Sequence, residues 1–167
     1  PGLDCTQGSR LADLASRRHH VGVKAPLVLL TSAAGAPYDL AAAGDPTTYA
    51  DLTTAAGLRS ICGIVNAIGP DKCQIIPRNV NGALARRTST LVADAHAAGL
   101  EVHPYTFRAE NSFLPVDYRV GTDVTGYGRA SDEQLRYLRT GIDGMFTDQA
   151  DISVIARSAL PAAKAAA

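Results

Sequence analysis

The fold of this chain is decided by residues 95–111, which read Ala-His-Ala-Ala-Gly-Leu-Glu-Val-His-Pro-Tyr-Thr-Phe-Arg-Ala-Glu-Asn. Just before them, Leu91 and Val92 begin an apolar stripe at helical spacing, which predicts a helix over 89–98. Gly99 suits the residue after a helix, since glycine adopts positive φ without steric cost. The apolar run 102–107 that follows is typical of a strand buried in a parallel sheet. This stretch therefore predicts a helix, a glycine stop and a buried strand.

The same junction occurs four times along the chain. Gly22, Gly57, Gly99 and Gly141 each follow a helix-like segment and precede an apolar run, at intervals of 35 to 42 residues. The predicted strands occupy residues 26–30, 61–65, 102–107 and 144–147. Further helices are predicted over 9–18 and 152–160, and capping-box patterns at 48–51 and 131–134 mark two more helix starts. The chain is therefore α/β, with helices alternating with parallel strands.

Two architectures fit this alternation, an open doubly wound sheet and a closed barrel. Barrel repeats average about 30 residues, and units of 35 to 42 residues fit a barrel with ordinary loops. Four βα units are half of a TIM (β/α)₈ barrel. Either the sheet stays open, or the chain is the C-terminal half of a barrel, the region of strands 5–8. A half-barrel exposes two strand edges and an apolar face, so we expect it to pack against further chain or a copy of itself.

The composition bounds the classes of function that remain. The chain has 167 residues, which predicts a single domain, and its 46% hydrophobic and 19% charged residues are ordinary for a globular protein. Its formal net charge is zero, so it lacks the basic surface of a nucleic-acid-binding protein. No apolar run is long enough to span a membrane. Because residues 1–4 carry neither Met nor a signal-peptide pattern, we expect a processed or partial chain.

Three cysteines add one open question. A disulfide between Cys62 and Cys73 would close a short loop and indicate an exported protein. The alternative is that all three, including Cys5, are buried apolar thiols. Their spacing does not fit a zinc site.

The candidate functional residues follow the predicted strands, because both architectures place chemistry at the carboxyl ends of the strands. These positions hold Thr31, Ser32, Asn66, residues 105–111 and residues 146–149. Residues 109–130 are unusually long for a loop between a strand and a helix, which is typical of a lid or binding segment.

The charged candidates each allow two interpretations. Arg78 and Arg108 either clamp a phosphate through their guanidinium groups or lie solvated at the surface. Glu110 and Asp148 have the oxygen ligands that bind Ca²⁺ or Mg²⁺. Asp148 alternatively caps the last helix.

The aromatic and histidine candidates are also ambiguous. Tyr105 and Phe146 either line a pocket or pack in the core. Strand alternation sends Tyr105 and Phe107 to one face, and we expect the strand to end near Phe107 so that Tyr105 lines the mouth. His103 is expected to pack in the sheet wall and His96 to lie at the surface.

Two segments resemble the secreted glycerophosphodiester phosphodiesterases. Residues 95–111 resemble the seventh-strand region of that family, and residues 133–148, which end Gly-Ile-Asp-Gly-Met-Phe-Thr-Asp, resemble its eighth-strand segment. Residues 68–78 are similar to the unit before. The resemblance covers about residues 26–158 of a single partial domain, 1–167, and leaves residues 1–22 unmatched. It implies the C-terminal half of a TIM barrel in a secreted or periplasmic hydrolase that releases sn-glycerol 3-phosphate and an alcohol.

The resemblance also implies where the chemistry lies. In this family Ca²⁺ or Mg²⁺ polarises the phosphoryl oxygens, and two histidines act as general acid and base. The family's His-Arg motif, Glu-x-Asp metal pair and second histidine belong to the first half of the barrel, and this sequence lacks them. We therefore expect no catalytic residue and no metal ligand in this chain, and no activity from these 167 residues alone. The alternative is a non-catalytic binding or structural fragment.

What carries over is the glycerol side of the substrate pocket. The glycerophosphodiester would contact five residues of this chain: Tyr105, Arg108, Glu110, Asn111 and Phe146. A cysteine in the other half of the barrel would also be a disulfide partner for Cys5.

Overall fold

The fold is built on one parallel sheet in a computed structural model that describes residues 6–161. Its strands are β1 (Thr6–Gly8), β2 (Leu27–Thr31), β3 (Ala67–Pro70) and β4 (Glu101–Val102). They lie in the order β1-β2-β3-β4, and every neighbouring pair is parallel. The ladder continues through isolated parallel bridges, one of which joins Phe107 to Thr147. Residues 143–148 therefore run beside residues 102–107 as the next position of the sheet.

Helices connect the strands and cover the sheet. They are α1 (Leu11–His19), α2 (Tyr38–Ala42), α3 (Tyr49–Leu52), α4 (Ala55–Ile61), α5 (Leu91–Ala97), α6 (Ala130–Leu138) and α7 (Ala150–Ser158). Short 3₁₀ helices occur at Lys72–Gln74 and Val116–Tyr118. The predicted α/β class is confirmed. The strand order also runs strictly along the sequence, without the reversal that defines a doubly wound sheet, as in the wall of a barrel.

The core lies between the sheet and its helices. Leu27 and Leu29 of β2, Ile68 of β3 and Val102 of β4 are buried in a single apolar cluster with residues of the helices. The alternate residue Leu30 points to the other face, since it lines the cleft described below. The sheet thus presents one face to its helices and the other to a cleft.

The second predicted strand is wrong. Residues 61–65 form the end of α4 and the turn that follows it, and β3 begins only at Ala67. The N–H of Val65 donates to the carbonyl of Ile61 at 3.1 Å, the spacing of a helical hydrogen bond, and both side chains are buried in the core cluster. Apolar residues four apart satisfy a helix as well as a short buried strand, and here packing on the sheet favours the helix.

The four predicted glycine stops divide into two kinds. Gly22, Gly99 and Gly141 have φ of 72°, 76° and 90°, as the prediction requires. Gly57 instead lies inside α4, where an added Cβ atom would sit 2.1 Å from the carbonyl oxygen of Asp51. Gly57 therefore lets α3 and α4 pack closely, and its role as a helix stop was wrongly predicted.

The helix starts were also predicted with mixed success. Thr48 and Asp51 form the expected capping box at the start of α3, with hydrogen bonds in both directions. Helix α6 begins one residue before Ser131, at Ala130, and no side chain caps it. The predicted capping box at 131–134 is wrong because the N-cap position is Arg129, which places Ser131 inside the helix. Strand β1 was not predicted, since three residues carry almost no periodic signal.

Candidate functional site

A cleft of about 350 Å³ lies at the carboxyl ends of the strands. Its lining residues come from β1, β2, the segment after β4 and the segment that runs beside it: Gln7, Leu30, Tyr105, Thr106, Phe146, Thr147 and Asp148. Gly69 of β3 forms the gap between them. A Cβ atom there would lie 2.6 Å from Leu30 Cδ2 and 3.4 Å from Phe146 Cε2. The missing side chain of Gly69 therefore lets the two walls approach each other across the sheet.

Tyr105 is fixed at this cleft by its backbone and its hydroxyl group. Its N–H donates to the carbonyl of Pro70 at 3.0 Å, and its own carbonyl accepts from the N–H of Lys72 at 3.0 Å. Its hydroxyl donates to the carbonyl of Thr31 at 3.0 Å and lies 3.4 Å from Ser32 Oγ. The side chain is half-buried. The structure thus holds Tyr105 as an aromatic wall between the ends of β2 and β3.

The expected alternation along 105–108 is wrong. Phe107 is fully buried in the core, where its ring meets the ring of Tyr137 edge to face at 5.0 Å. Tyr105 lines the cleft instead, so the two residues do not share a face. Regular pairing of β4 ends at Val102, and only isolated bridges follow, so the period of two does not continue. The peptide bond between Tyr105 and Thr106 is cis.

Arg108 forms ionic contacts with both carboxylates that were predicted as cation ligands, Asp148 and Glu110. Its Nε atom lies 2.9 Å from Asp148 Oδ2, and its Nη2 atom lies 3.6 Å from Glu110 Oε1. The guanidinium also sits 3.9 Å from the ring centroid of Phe113. The prediction that Asp148 caps the last helix is wrong, because the residue at the N-cap of α7 is Gln149. Asp148 and Glu110 therefore balance the charge of Arg108.

Arg78 and Arg108 meet at Phe113. The Nη2 atom of Arg78 donates to the carbonyl of Phe113, while Arg108 lies against its ring. A second cleft of about 270 Å³ opens beside them, and its lining residues include Asp71, Arg78, Tyr105 and Phe113. One guanidinium nitrogen of Arg78 is thus hydrogen-bonded to the loop that carries Phe113.

Asn111 holds the long loop together. It is 3% exposed, its Nδ2 atom donates to the carbonyls of Val120 and Asp123 at 2.8 Å each, and its Oδ1 atom accepts from the N–H of Val120 at 3.0 Å. The side chain lines neither cleft. The structure therefore places Asn111 inside the loop, with both amide hydrogens used there.

The comparisons with known proteins agree with this architecture. The model of the glycerophosphoryl diester phosphodiesterase family matches residues 11–152. The chain belongs to that family. A curated relative, the glycerophosphodiester phosphodiesterase GDPD6 of Arabidopsis thaliana, is 39% identical over 105 residues. These residues are 60% of this chain and 25% of the relative, so the chain spans about a quarter of that protein.

Family membership confirms the resemblance to glycerophosphodiester phosphodiesterases drawn from the sequence. A domain of this family implies a TIM barrel, and the parallel sheet with sequential strand order agrees with it. None of the helices described over residues 6–161 has the length and apolar character needed to cross a membrane.

One buried ion pair of this phosphodiesterase domain escaped sequence analysis. Lys72 Nζ donates to Glu133 Oε1 at 2.9 Å, with side chains 8% and 0% exposed. Burial raises the pKa of Glu133, and the ammonium group of Lys72 opposes that rise. Two sequence features could have predicted this burial. Lys72 follows the apolar run of β3, and Glu133 lies one helical turn before the apolar position Tyr137. The sequence prediction placed Glu133 only inside the capping-box pattern at 131–134, with no role of its own.

Other predicted residues lie away from the cleft. Asn66 precedes β3 because the strand was predicted too early, so it lies at the amino end of the sheet, where its Oδ1 atom accepts from the N–H of Leu27. His103 is buried and an added Cβ atom at Gly144 would touch its ring, as expected of a residue in the sheet wall. His96 lies half-exposed, 2.9 Å from Asp143.

The cysteines form no disulfide within the described residues. Cys62 is exposed and Cys73 is half-buried, and both are free thiols. The predicted bridge between them is therefore wrong, and so is the alternative that Cys62 is buried. Burial raises the pKa of the Cys73 thiol, which disfavours the reactive thiolate. Cys5 lies outside the described residues.

Proposed function

We propose that the protein hydrolyses glycerophosphodiesters to sn-glycerol 3-phosphate and an alcohol, and that this chain supplies one wall of the substrate cleft. The observation that carries the proposal is the cleft at the carboxyl ends of the strands, walled by Tyr105 and Phe146 with Arg108 beside it. This is the end of a TIM barrel at which active sites lie. The family match supports the type of reaction.

The lining residues suit a glycerol phosphate ligand. The rings of Tyr105 and Phe146 offer flat apolar faces to the carbon chain of glycerol. Arg108 contacts Asp148 of the cleft wall, and its guanidinium matches the oxygens of a phosphate. Because Arg108 already contacts Asp148 and Glu110, a bound phosphate would replace contacts that those carboxylates now make. Asn111 would contribute by holding the loop and not by direct contact.

The reacting groups are proposed to lie outside this chain. Among residues 6–161, no group of three His, Cys, Asp or Glu side chains is placed to hold a metal ion. Glu110 and Asp148, the two predicted oxygen donors, face Arg108, so these residues do not fit a Ca²⁺ or Mg²⁺ site. We propose that the cation and the acid and base histidines are held by other parts of the protein. The further barrel strands would pair with β1 and with residues 143–148, and a second copy of the chain is the alternative partner.

Export to the periplasm or the cell exterior is part of the same proposal. It is supported by the resemblance of residues 95–111 and 133–148 to the secreted type of the family.

The proposal is tested on the full-length protein with glycerophosphocholine. We expect release of sn-glycerol 3-phosphate and choline in the presence of Ca²⁺ or Mg²⁺, abolished by EDTA. No turnover by the folded protein with either metal would refute the proposal in favour of a non-catalytic role. These 167 residues alone are expected to be inactive.

Tyr105→Ala tests the assignment of the cleft. Its KM should rise by about tenfold with a smaller fall in kcat, the pattern of lost uniform binding. Tyr38→Ala is the matched control, since Tyr38 is exposed and lines neither cleft. Wild-type kinetics in a folded Tyr105→Ala variant would make Tyr105 a packing residue and overturn the assignment.

A further inference from the structure

The buried Lys72–Glu133 pair joins two parts of the molecule that the cleft depends on. Lys72 opens the 3₁₀ turn directly after β3, and Glu133 lies on α6, 61 residues later in the sequence. The ammonium group also lies 4.9 Å from the ring centroid of Phe107. Phe107 in turn packs against Tyr137 of α6. The pair therefore lies beside the segment that carries Tyr105: neither residue lines the first cleft, and Lys72 lines the second cleft together with Tyr105.

Stability alone does not require an ion pair at this place. Removing two charges from water carries a large desolvation penalty, and apolar residues of similar volume often replace such a pair without loss of stability. The cost is incompletely recovered here, because Glu133 Oε2 is buried without a hydrogen-bond partner among the described residues. Compared with apolar packing, the ion pair fixes the Lys72 side chain in a single position. The backbone of Lys72, and the residues hydrogen-bonded to it, are then fixed as well.

The backbone of Lys72 leads directly to the cleft wall. Its N–H donates to the carbonyl of Tyr105 at 3.0 Å, and the adjacent Asp71 forms a parallel bridge with Tyr105. The position of Lys72 therefore sets the position of the Tyr105 backbone. The hydroxyl of Tyr105 is fixed separately, on Thr31. A shift of the turn would tilt the ring between these two anchors.

We propose that Lys72 and Glu133 form a positioning pair that sets Tyr105 in the wall of the substrate cleft. Neither residue lines the proposed substrate cleft between Tyr105 and Phe146. Their effect on the reaction passes through Tyr105, and this part of the inference rests on the proposed function.

The test replaces the pair with apolar residues of similar size in the full-length protein, as Lys72→Met/Glu133→Leu. We expect the variant to fold and to raise KM for glycerophosphocholine by about tenfold while kcat changes less. In a Tyr105→Ala background the same two substitutions should add little to KM, because the residue they position is already gone. The control is Arg17→Met/Asp13→Leu, which removes an exposed ion pair on α1.

A second measurement does not depend on activity. Amide hydrogen exchange over residues 103–108 should be faster in the Lys72→Met/Glu133→Leu variant than in the wild type and in the control. Faster exchange with an inactive wild-type protein would refute the proposed function and leave the positioning role standing. Unchanged exchange, or a wild-type KM in the folded variant, would show that the pair only stabilises and would overturn the inference.

Discussion

Two groups of charged side chains flank the same strand ends, and they differ in contact with water. Lys72 and Glu133 are 8% and 0% exposed and lie 2.9 Å apart. Arg108 and Asp148 also lie 2.9 Å apart, but their side chains are 36% and 46% exposed. The shortest distance between nitrogen and oxygen is thus the same in both groups, whereas their exposure to water differs.

Because of this difference in exposure, the buried pair cannot lose a partner, whereas the exposed group can exchange one partner for another. In the buried pair the low dielectric strengthens the attraction, and neither partner can be left alone without a large cost. In the half-exposed group, water and salt screen the attraction, and each contact contributes little. The buried pair is therefore suited to hold structure, whereas Arg108 can exchange Asp148 or Glu110 for the phosphate of a ligand.

The largest effect is expected from Lys72→Met in the full-length protein. The substitution leaves Glu133 buried without its counter-ion, so the free energy of unfolding should fall by about 3–5 kcal/mol. Chemical denaturation with a constant m value measures the change. A loss below about 1 kcal/mol would show that Glu133 is accessible to water and that the two groups do not differ in their contribution to stability.

A smaller change in the free energy of unfolding is expected when the pH is varied. Burial raises the pKa of Glu133 above its ordinary value of 4.5, so the folded state holds this proton more tightly than the unfolded chain. The contribution of Glu133 to stability is then complete below pH 4.5 and is lost as pH rises through the folded-state pKa, by at most about 1.4 kcal/mol per pH unit. Glu133→Gln removes this dependence.

Denaturation of both proteins between pH 4 and pH 7 measures the pH effect. The stability of the wild type relative to Glu133→Gln should decrease as pH rises. Asp132→Asn, which removes an exposed carboxylate from the same helix, is the control. Parallel curves for the wild type and Glu133→Gln would contradict the burial of this carboxyl group.

The smallest effect on stability is expected from Arg108→Met. The half-exposed contacts with Asp148 and Glu110 should contribute less than about 1 kcal/mol to the free energy of unfolding, and less still at high salt. Activity should respond more strongly, with a raised KM for glycerophosphocholine. A stability loss comparable to that of Lys72→Met would show that the two groups are energetically alike.

Sequence patterns located the cleft wall but not the contacts within it. Tyr105 and Phe146 were found because strands of a parallel sheet end together at one edge, a rule that needs only the order of the elements. Asn111 was predicted to contact the substrate, and its hydrogen bonds to Val120 and Asp123 were not predicted, because these partners belong to a loop whose path no local pattern describes. The strand predicted over 61–65 failed because a short apolar run fits a helix equally well.

The sequence by itself determined the alternation of helices and strands, the glycine stops at Gly99 and Gly141, and membership of the phosphodiesterase family. These properties depend on residues a few positions apart, so the order of residues contains them. Tertiary structure alone decided that Glu133 meets Lys72 and that Asp148 meets Arg108 instead of capping α7. Such pairings depend on which surfaces pack together and on how much water remains between them, and neither quantity is encoded in local spacing.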